Sequence, residues 1–233
     1  MQSLVMDEIN NLDPVYFPHR VNVDQHLFMP ISMVATKFDC MSGYFSSGVL
    51  RELAHAISVY LQSSGSNKMR FIVGPNFSSN EDINAFHRAV ELEEDLIPHI
   101  FGEVDFSIEN LKTKTIKMMS YLIAKGRLEL KIAIMSSGEG IFHQKFWLFE
   151  TDKGNVVIHG SGNATGSGLS VNSEQFNLTR AWLSENDKVA FDKLRREFDL
   201  VWSEKDDIVL CAPLNKETIQ HIKSIKTGID SKE

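Results

Sequence analysis

The sequence predicts a single-domain α/β layer fold, and three observations carry that expectation. Apolar runs at 39–45, 68–74 and 128–135 have the length and content of buried strands. Helical periodicity fills the stretches between them, so strand and helix alternate along the chain. The 233 residues, 42% hydrophobic and 24% charged, suffice for one full-sized core with an ordinary globular balance.

Residues 1–27 hold Pro14 and Pro18 and show no clear period; they read as an irregular N-terminal arm with a short strand at 20–23. The domain proper is expected over 28–228. Its first helix spans 28–36, with Pro30 tolerated in the first turn. Strand 39–45 runs into Ser46 and Ser47, which suit the N-cap of a helix over 48–61. Leu50, Leu53, Ala54, Ile57 and Leu61 give that helix its apolar stripe. The Ser-Ser-Gly-Ser-Asn stretch at 63–67 ends it, and strand 68–74 follows.

Ser79 caps a further helix through Ile83, Phe86 and Val90, on which His87 reads as a surface or packing histidine. A long amphipathic helix over 108–125 stops at Gly126, where a left-handed cap is favoured. Strand 128–135 comes next, and the Ser-Ser-Gly-Glu-Gly turn at 136–140 leads into a hairpin. Beyond the hairpin, Ser184 caps a helix in which Phe191, Leu194, Phe198, Val201 and Trp202 recur at helical spacing. That spacing marks a core stripe and not a surface for stacking bases. A short strand at 207–210 and a closing helix over 215–226 complete the order, with 231–233 frayed.

Composition narrows the function classes. The net charge of −7 argues against a domain coated in nucleic-acid contacts, while leaving room for a local basic groove. Lys112, Lys114, Lys117, Lys125, Arg127 and Lys131 cluster in one segment, and Glu91, Glu93, Glu94 and Asp95 in another; each pattern more commonly marks a solvated helix face. Cys40 and Cys211 lack metal-ligand spacing and read as buried thiols. The start has neither a basic region nor an apolar segment of a secretory signal, and no apolar run reaches membrane-spanning length. The expectation is therefore a cytoplasmic protein with no membrane partner.

The chemistry concentrates between 143 and 174. His143, Lys145, Trp147 and Phe149 share one parity of an alternating stretch, so imidazole and ammonium project from one face of a strand. Turn residues at 151–155 precede a return strand at 156–160, after which Ser161 and Asn163 repeat the i,i+2 spacing. Paired in register, the hairpin gathers an imidazole, an ammonium, a hydroxyl and a carboxamide, a set suited to a tetrahedral oxyanion. Each part has a plainer reading: a lone His-x-Lys also fits a solvated strand edge, and the Gly-rich run at 160–168 a flexible loop. No Gly-Lys-Ser/Thr follows that run, and Gly160, Gly162 and Gly166 miss the dinucleotide fingerprint by one residue.

Together, His143-x-Lys145, an acid five residues after the lysine at Glu150, Gly160-Ser161-x-Asn163 and Asn172-Ser173-Glu174 resemble the HKD signature of the phospholipase D superfamily. The last segment is similar to the Asn-x-Glu of its small bacterial nucleases. The resemblance covers about a seventh of the chain. It departs at the acid, which is Glu150 in place of Asp or is displaced to Asp152, and in a longer turn before Gly160.

That resemblance implies a mixed central sheet flanked by helices, a phospholipase D-like α-β-α sandwich. It implies a phosphodiesterase in which His143 attacks phosphorus to form a phosphohistidine. Lys145, Asn163 and Ser161 would bind the phosphate oxygens, and Glu174 would orient His143; neither metal nor other cofactor is called for. The chemistry needs two such His-x-Lys units; His19, His26, His55, His87, His99 and His159 are not followed two residues on by Lys, and His221, which is followed by Lys223, has no Gly-Ser-x-Asn or Asn-x-Glu segment after it. A homodimer with a composite active site is therefore implied. Small size, a single motif and no membrane element favour a nuclease cutting DNA or RNA. A phospholipase-type hydrolase and a non-catalytic dimerisation module stay open. The pattern at 41–48, with Phe71-Ile-Val-Gly74, is also similar to domains of restriction and helicase-linked defence systems, which implies helicase or restriction subunits as partners.

Overall fold

A computed structural model describes residues 8–77, 108, 112, 114–152 and 154–213. Among them eight strands build one mixed sheet: β1 (Val15–Tyr16), β2 (Ala35–Phe45), β3 (Met69–Phe77), β4 (Leu128–Met135), β5 (Lys145–Thr151), β6 (Gly154–Gly160), β7 (Phe176–Arg180) and β8 (Val209–Pro213). Their order is β1-β7-β6-β5-β2-β3-β4-β8. β2, β3 and β4 run parallel, and every other neighbouring pair is antiparallel. The helices are α1 (Met29–Ser32), entered through a π-turn at Asp24–Phe28, then α2 (Gly48–Glu52), α3 (Ala54–Ser63), α4 (Thr115–Ala124), α5 (Gly166–Ser170) and α6 (Glu185–Trp202). The expected α/β architecture, a mixed sheet flanked by helices, is present.

The central strands are apolar on both faces because both faces are covered. In β5, Phe146, Trp147, Leu148 and Phe149 are buried in succession. Trp147 and Phe149 join Phe38, Cys40, Phe71 and Ile158 in the larger core, beneath α1, α3 and α4. Phe146 and Leu148 join Met41, Ile72 and Val157 in a second core, closed by Phe191, Phe198 and Val201 of α6. Phe28, Phe38, Phe71, Trp147 and Phe149 meet edge-on or tilted at centroid separations of 4.5–6.2 Å. Such pairs add about 0.5–1.5 kcal/mol each beyond burial. The Phe191-to-Trp202 stripe is core, as its spacing predicts, and Ser184 caps α6 by accepting from the Asp187 N–H at 3.1 Å.

Several local expectations are corrected. Residues 20–23 are not a strand; the arm's strand is Val15–Tyr16, which pairs with Asn177 and Phe176 at the sheet edge. Thr36 lies in β2 and not in the first helix, which ends at Ser32. The helix expected over 48–61 is two pieces broken at Leu53, and Ser47 makes no side-chain cap. Lys114 departs from helical geometry, so α4 starts afresh at Thr115. Gly126 ends it with φ +64°. Cys211 sits half-buried on edge strand β8, where burial pushes its thiol up to about 11, while Cys40 is fully buried. The expectations for Ser79 to Val90, His87, the acidic run at 91–95 and the helix at 215–226 lie outside the described residues.

The basic segment does not act as one face. Arg127 donates to the carbonyls of Leu61, Ser64 and Asn67, tying α3 to β4. Lys131 pairs with Glu204 and lies 4.9 Å from the centre of the Trp202 ring.

Candidate active site

β2 ends beside the start of β5, with Ser42 paired to Lys145 as the last rung of their antiparallel ladder. β5 therefore begins at Lys145, and His143 stands in the segment leading into it, a correction to its expected place on the strand. The alternation nevertheless persists through this segment. Phe142 is buried in the core under α6, and Gln144 donates from Nε2 to Glu197 Oε1 on α6 at 2.8 Å. His143 is exposed at the sheet end, and Lys145 Nζ donates to the His143 carbonyl at 3.0 Å.

Gly43 makes room for the histidine. A Cβ there would come within 2.9 Å of His143 Cδ2 and 3.0 Å of the Phe142 oxygen. The next residue, Tyr44, meets the imidazole edge-on, with ring centres 5.9 Å apart.

Ser42 and Tyr44, on either side of Gly43, hold Asn163. Its Oδ1 accepts from the Tyr44 N–H at 3.2 Å and lies 3.5 Å from Ser42 Oγ. Ser42 is buried; its hydroxyl donates to the Tyr44 carbonyl at 2.7 Å and accepts from the Ala164 N–H at 2.8 Å. Ser46 accepts from the Gly166 N–H at 3.3 Å, and its own N–H donates to the Ala164 carbonyl. Two serines from one strand end thus clamp the Gly-rich loop. With Oδ1 occupied by the backbone, the carboxamide presents its NH₂ group as the donor for a ligand. Ser42, Gly43, Tyr44 and Ser46 join the site in addition to the residues the sequence names, and their one local signal is a place at a strand end before a short helix.

Ser161 and Glu174 complete the expected set. Ser161 brackets the start of β7, its N–H donating to the Gln175 carbonyl and its Oγ accepting from the Gln175 N–H, both at 3.1 Å. The hydroxyl hydrogen remains for another acceptor. Glu174 accepts from Asn172 Nδ2 at 3.4 Å and acts electrostatically on Lys145. Burial lowers the Lys145 pKa from the ordinary lysine value, and the Glu174 charge opposes that shift.

Lysine is charged only below its pKa, so Lys145 loses its charge at a lower pH than a solvated lysine. Glu174→Gln removes the opposing influence and lowers that pKa further. We expect the alkaline limb of the kcat/KM profile to move to lower pH in this variant. A limb that stays in place or moves up would show that Glu174 does not act through Lys145.

The acid expected five residues after Lys145 lies elsewhere. Glu150 is five residues from Lys145, about 16 Å along a strand, and is ion-paired to Lys37 at 2.8 Å and Arg195 at 3.1 Å. Arg195 also binds buried Asp39, which Arg70 grips from β3. Glu150 thus braces β2, β5 and α6 against one another at the end of the sheet away from His143. Asp152 is exposed in the turn.

His143, Lys145 and Asn163 are gathered around the end of β2, an exposed imidazole, a cation and a carboxamide donor, with the Glu174 carboxylate acting on Lys145. Among the described residues, no three His, Cys, Asp or Glu side chains cluster as metal ligands, and no helix is long and apolar enough to cross a membrane.

No family model matches the sequence, and no curated protein matches it. Among solved structures the chain is similar to NucT from Helicobacter pylori, 12% identical with a TM-score of 0.41, over 79% of this chain and 94% of that one. It is also similar to the polyphosphate kinase of Porphyromonas gingivalis, 11% identical with a TM-score of 0.43, over 99% of this chain and 32% of that one. Neither likeness assigns a role to any residue here.

Proposed function

We propose that the protein is a phospholipase D-like phosphodiesterase that cuts a nucleic-acid backbone without a metal ion. The observation that carries this reading is the convergence of His143, Lys145 and Asn163 on the Ser42–Tyr44 strand end, where His143 lies against Gly43, Lys145 pairs with Ser42 and Asn163 accepts from the Tyr44 N–H. In the proposed reaction a nitrogen lone pair of His143 attacks phosphorus while the leaving oxygen takes a proton from a second histidine. Water then attacks phosphorus, gives its proton to that second histidine, and releases His143. Lys145 and Asn163 hold the nonbridging oxygens as charge builds on them, with Ser161 adding a hydroxyl.

The second histidine is supplied by a second copy of the chain across a two-fold axis. Exposed apolar side chains favour a covered surface here: Tyr44, against the His143 ring, is 37% exposed, Ile141, two residues before His143, 61%, and Val171, three before Glu174, 75%.

Incubation with plasmid and with phosphatidylcholine vesicles, each in excess EDTA, tests the reading. The expected result is plasmid cleavage that EDTA does not reduce. Activity abolished by EDTA and restored by a divalent cation would overturn the mechanism, and choline release without plasmid cleavage would replace nuclease with lipase.

A further inference from the structure

A polar cavity of about 460 Å³ opens between the N-terminal arm, α2 and the C-terminal end of α5. That volume fits a small ligand of nucleotide size. Arg20, Arg51 and Lys112 line it together with His55. Among the described residues neither Arg20 nor Lys112 has an acidic partner. Arg51 engages Glu52 through Nε at 2.7 Å, which leaves the two terminal nitrogens of its guanidinium for another acceptor.

Two carboxylates also face this space, and both are committed. Glu52 is held by Arg51. Asp24, 2% exposed, accepts from the backbone N–H groups of His55 at 2.9 Å and Ala56 at 2.8 Å, and from His55 Nδ1 at 2.8 Å. It thereby caps the first turn of α3 and spends its acceptor capacity on protein donors. The same bond fixes the imidazole by its Nδ1 edge and leaves Nε2 as the ring nitrogen available to a ligand. Three cations and one fixed imidazole around a cavity of this size match an acceptor-rich anion with several oxygens, which is a phosphate group.

We propose that this cavity binds a phosphate group. The inference does not depend on the reaction proposed for His143. The phosphate belongs either to a polynucleotide strand or to a free nucleotide; the donor chemistry is the same for both. The cavity has a direct mechanical link to the candidate active site. α5 follows Asn163 by three residues and packs against α2, which carries Arg51, where Gly48 lies against Gly166.

The test uses the full chain carrying His143→Ala and Lys145→Ala, so that the first site neither turns over nor competes. Calorimetric titration with inorganic phosphate, thymidine 5′-monophosphate and a 5′-hydroxyl oligothymidylate is then repeated after adding Arg20→Gln and Arg51→Gln. Both arginines are exposed, so the fold is expected to persist, and Lys112→Gln supplies an independent variant. We expect binding to the silenced protein that weakens at least about tenfold when the arginines are neutralised. Tighter, arginine-dependent binding of the oligonucleotide identifies a strand phosphate, and arginine-dependent binding of thymidine monophosphate alone identifies a free nucleotide. The proposal fails if no probe binds the silenced protein, or if binding is indifferent to both the arginine and the lysine changes. Failure of plasmid cleavage by the wild-type chain would leave this result untouched.

Discussion

His143→Ala is expected to reduce phosphodiester cleavage by about 10⁴-fold or more, because in the proposed mechanism it removes the atom that bonds to phosphorus. The fold should survive. His143 is exposed, and its segment stays anchored by buried Phe142 on one side and by the Gln144–Glu197 hydrogen bond on the other. A change in stability within about 0.5 kcal/mol is expected for such a surface position. Wild-type protein quenched in turnover should carry acid-labile, alkali-stable phosphate on His143. Phosphate on a serine instead, or a His143→Ala variant that keeps its rate, would remove the nucleophile from the mechanism. The same variant probes the second copy. Mixed with wild-type chains it should suppress activity beyond dilution, because a mixed pair retains a nucleophile without its acid. Activity proportional to the wild-type fraction would mean that one chain suffices.

Lys145→Ala should cost about 10²–10⁴ in kcat, the usual range for losing a donor aimed at developing phosphate charge. Besides its proposed phosphate contact, Nζ donates to the His143 carbonyl. Lys145→Gln separates the two contacts: it keeps a donor near the carbonyl and loses the charge. If the charge on the phosphate dominates, Gln and Ala should be almost equally slow. A Gln variant near wild-type rate would assign Lys145 to holding the loop and leave phosphate binding to Asn163 and Ser161. Asn163 offers a comparison, since its Oδ1 is fixed by the Tyr44 N–H and its role is confined to its NH₂ group.

Much of this protein is legible from local pattern. Strand β4, the turn after it, the turn between β5 and β6 and the Ser184-capped α6 stand where alternation, helical period and cap residues put them. These signals act within one turn or one strand pair, so neighbouring residues suffice to reveal them. The spacing of His143, Lys145, Ser161 and Asn163 is equally local, which is why the chain on its own yields a candidate for the chemistry.

The sequence by itself thus determined the layer class, the central strands and the residues carrying reactive groups. Only the tertiary structure decided how those groups are held. The Ser42–Tyr44 clamp on Asn163 joins residues about 120 positions apart, and the link from Arg195 to Asp39 joins residues 156 apart. No periodicity encodes such pairs; they follow from β5 pairing with β2, which brings the middle of the chain beside its early part. β5 starts at Lys145, where its ladder with β2 ends at Ser42, and the helix that begins after Leu53 is capped by Asp24, which accepts from the His55 and Ala56 N–H groups. Partner contacts override local propensity when burial and hydrogen bonds across the sheet exceed the few tenths of a kcal/mol that propensity supplies.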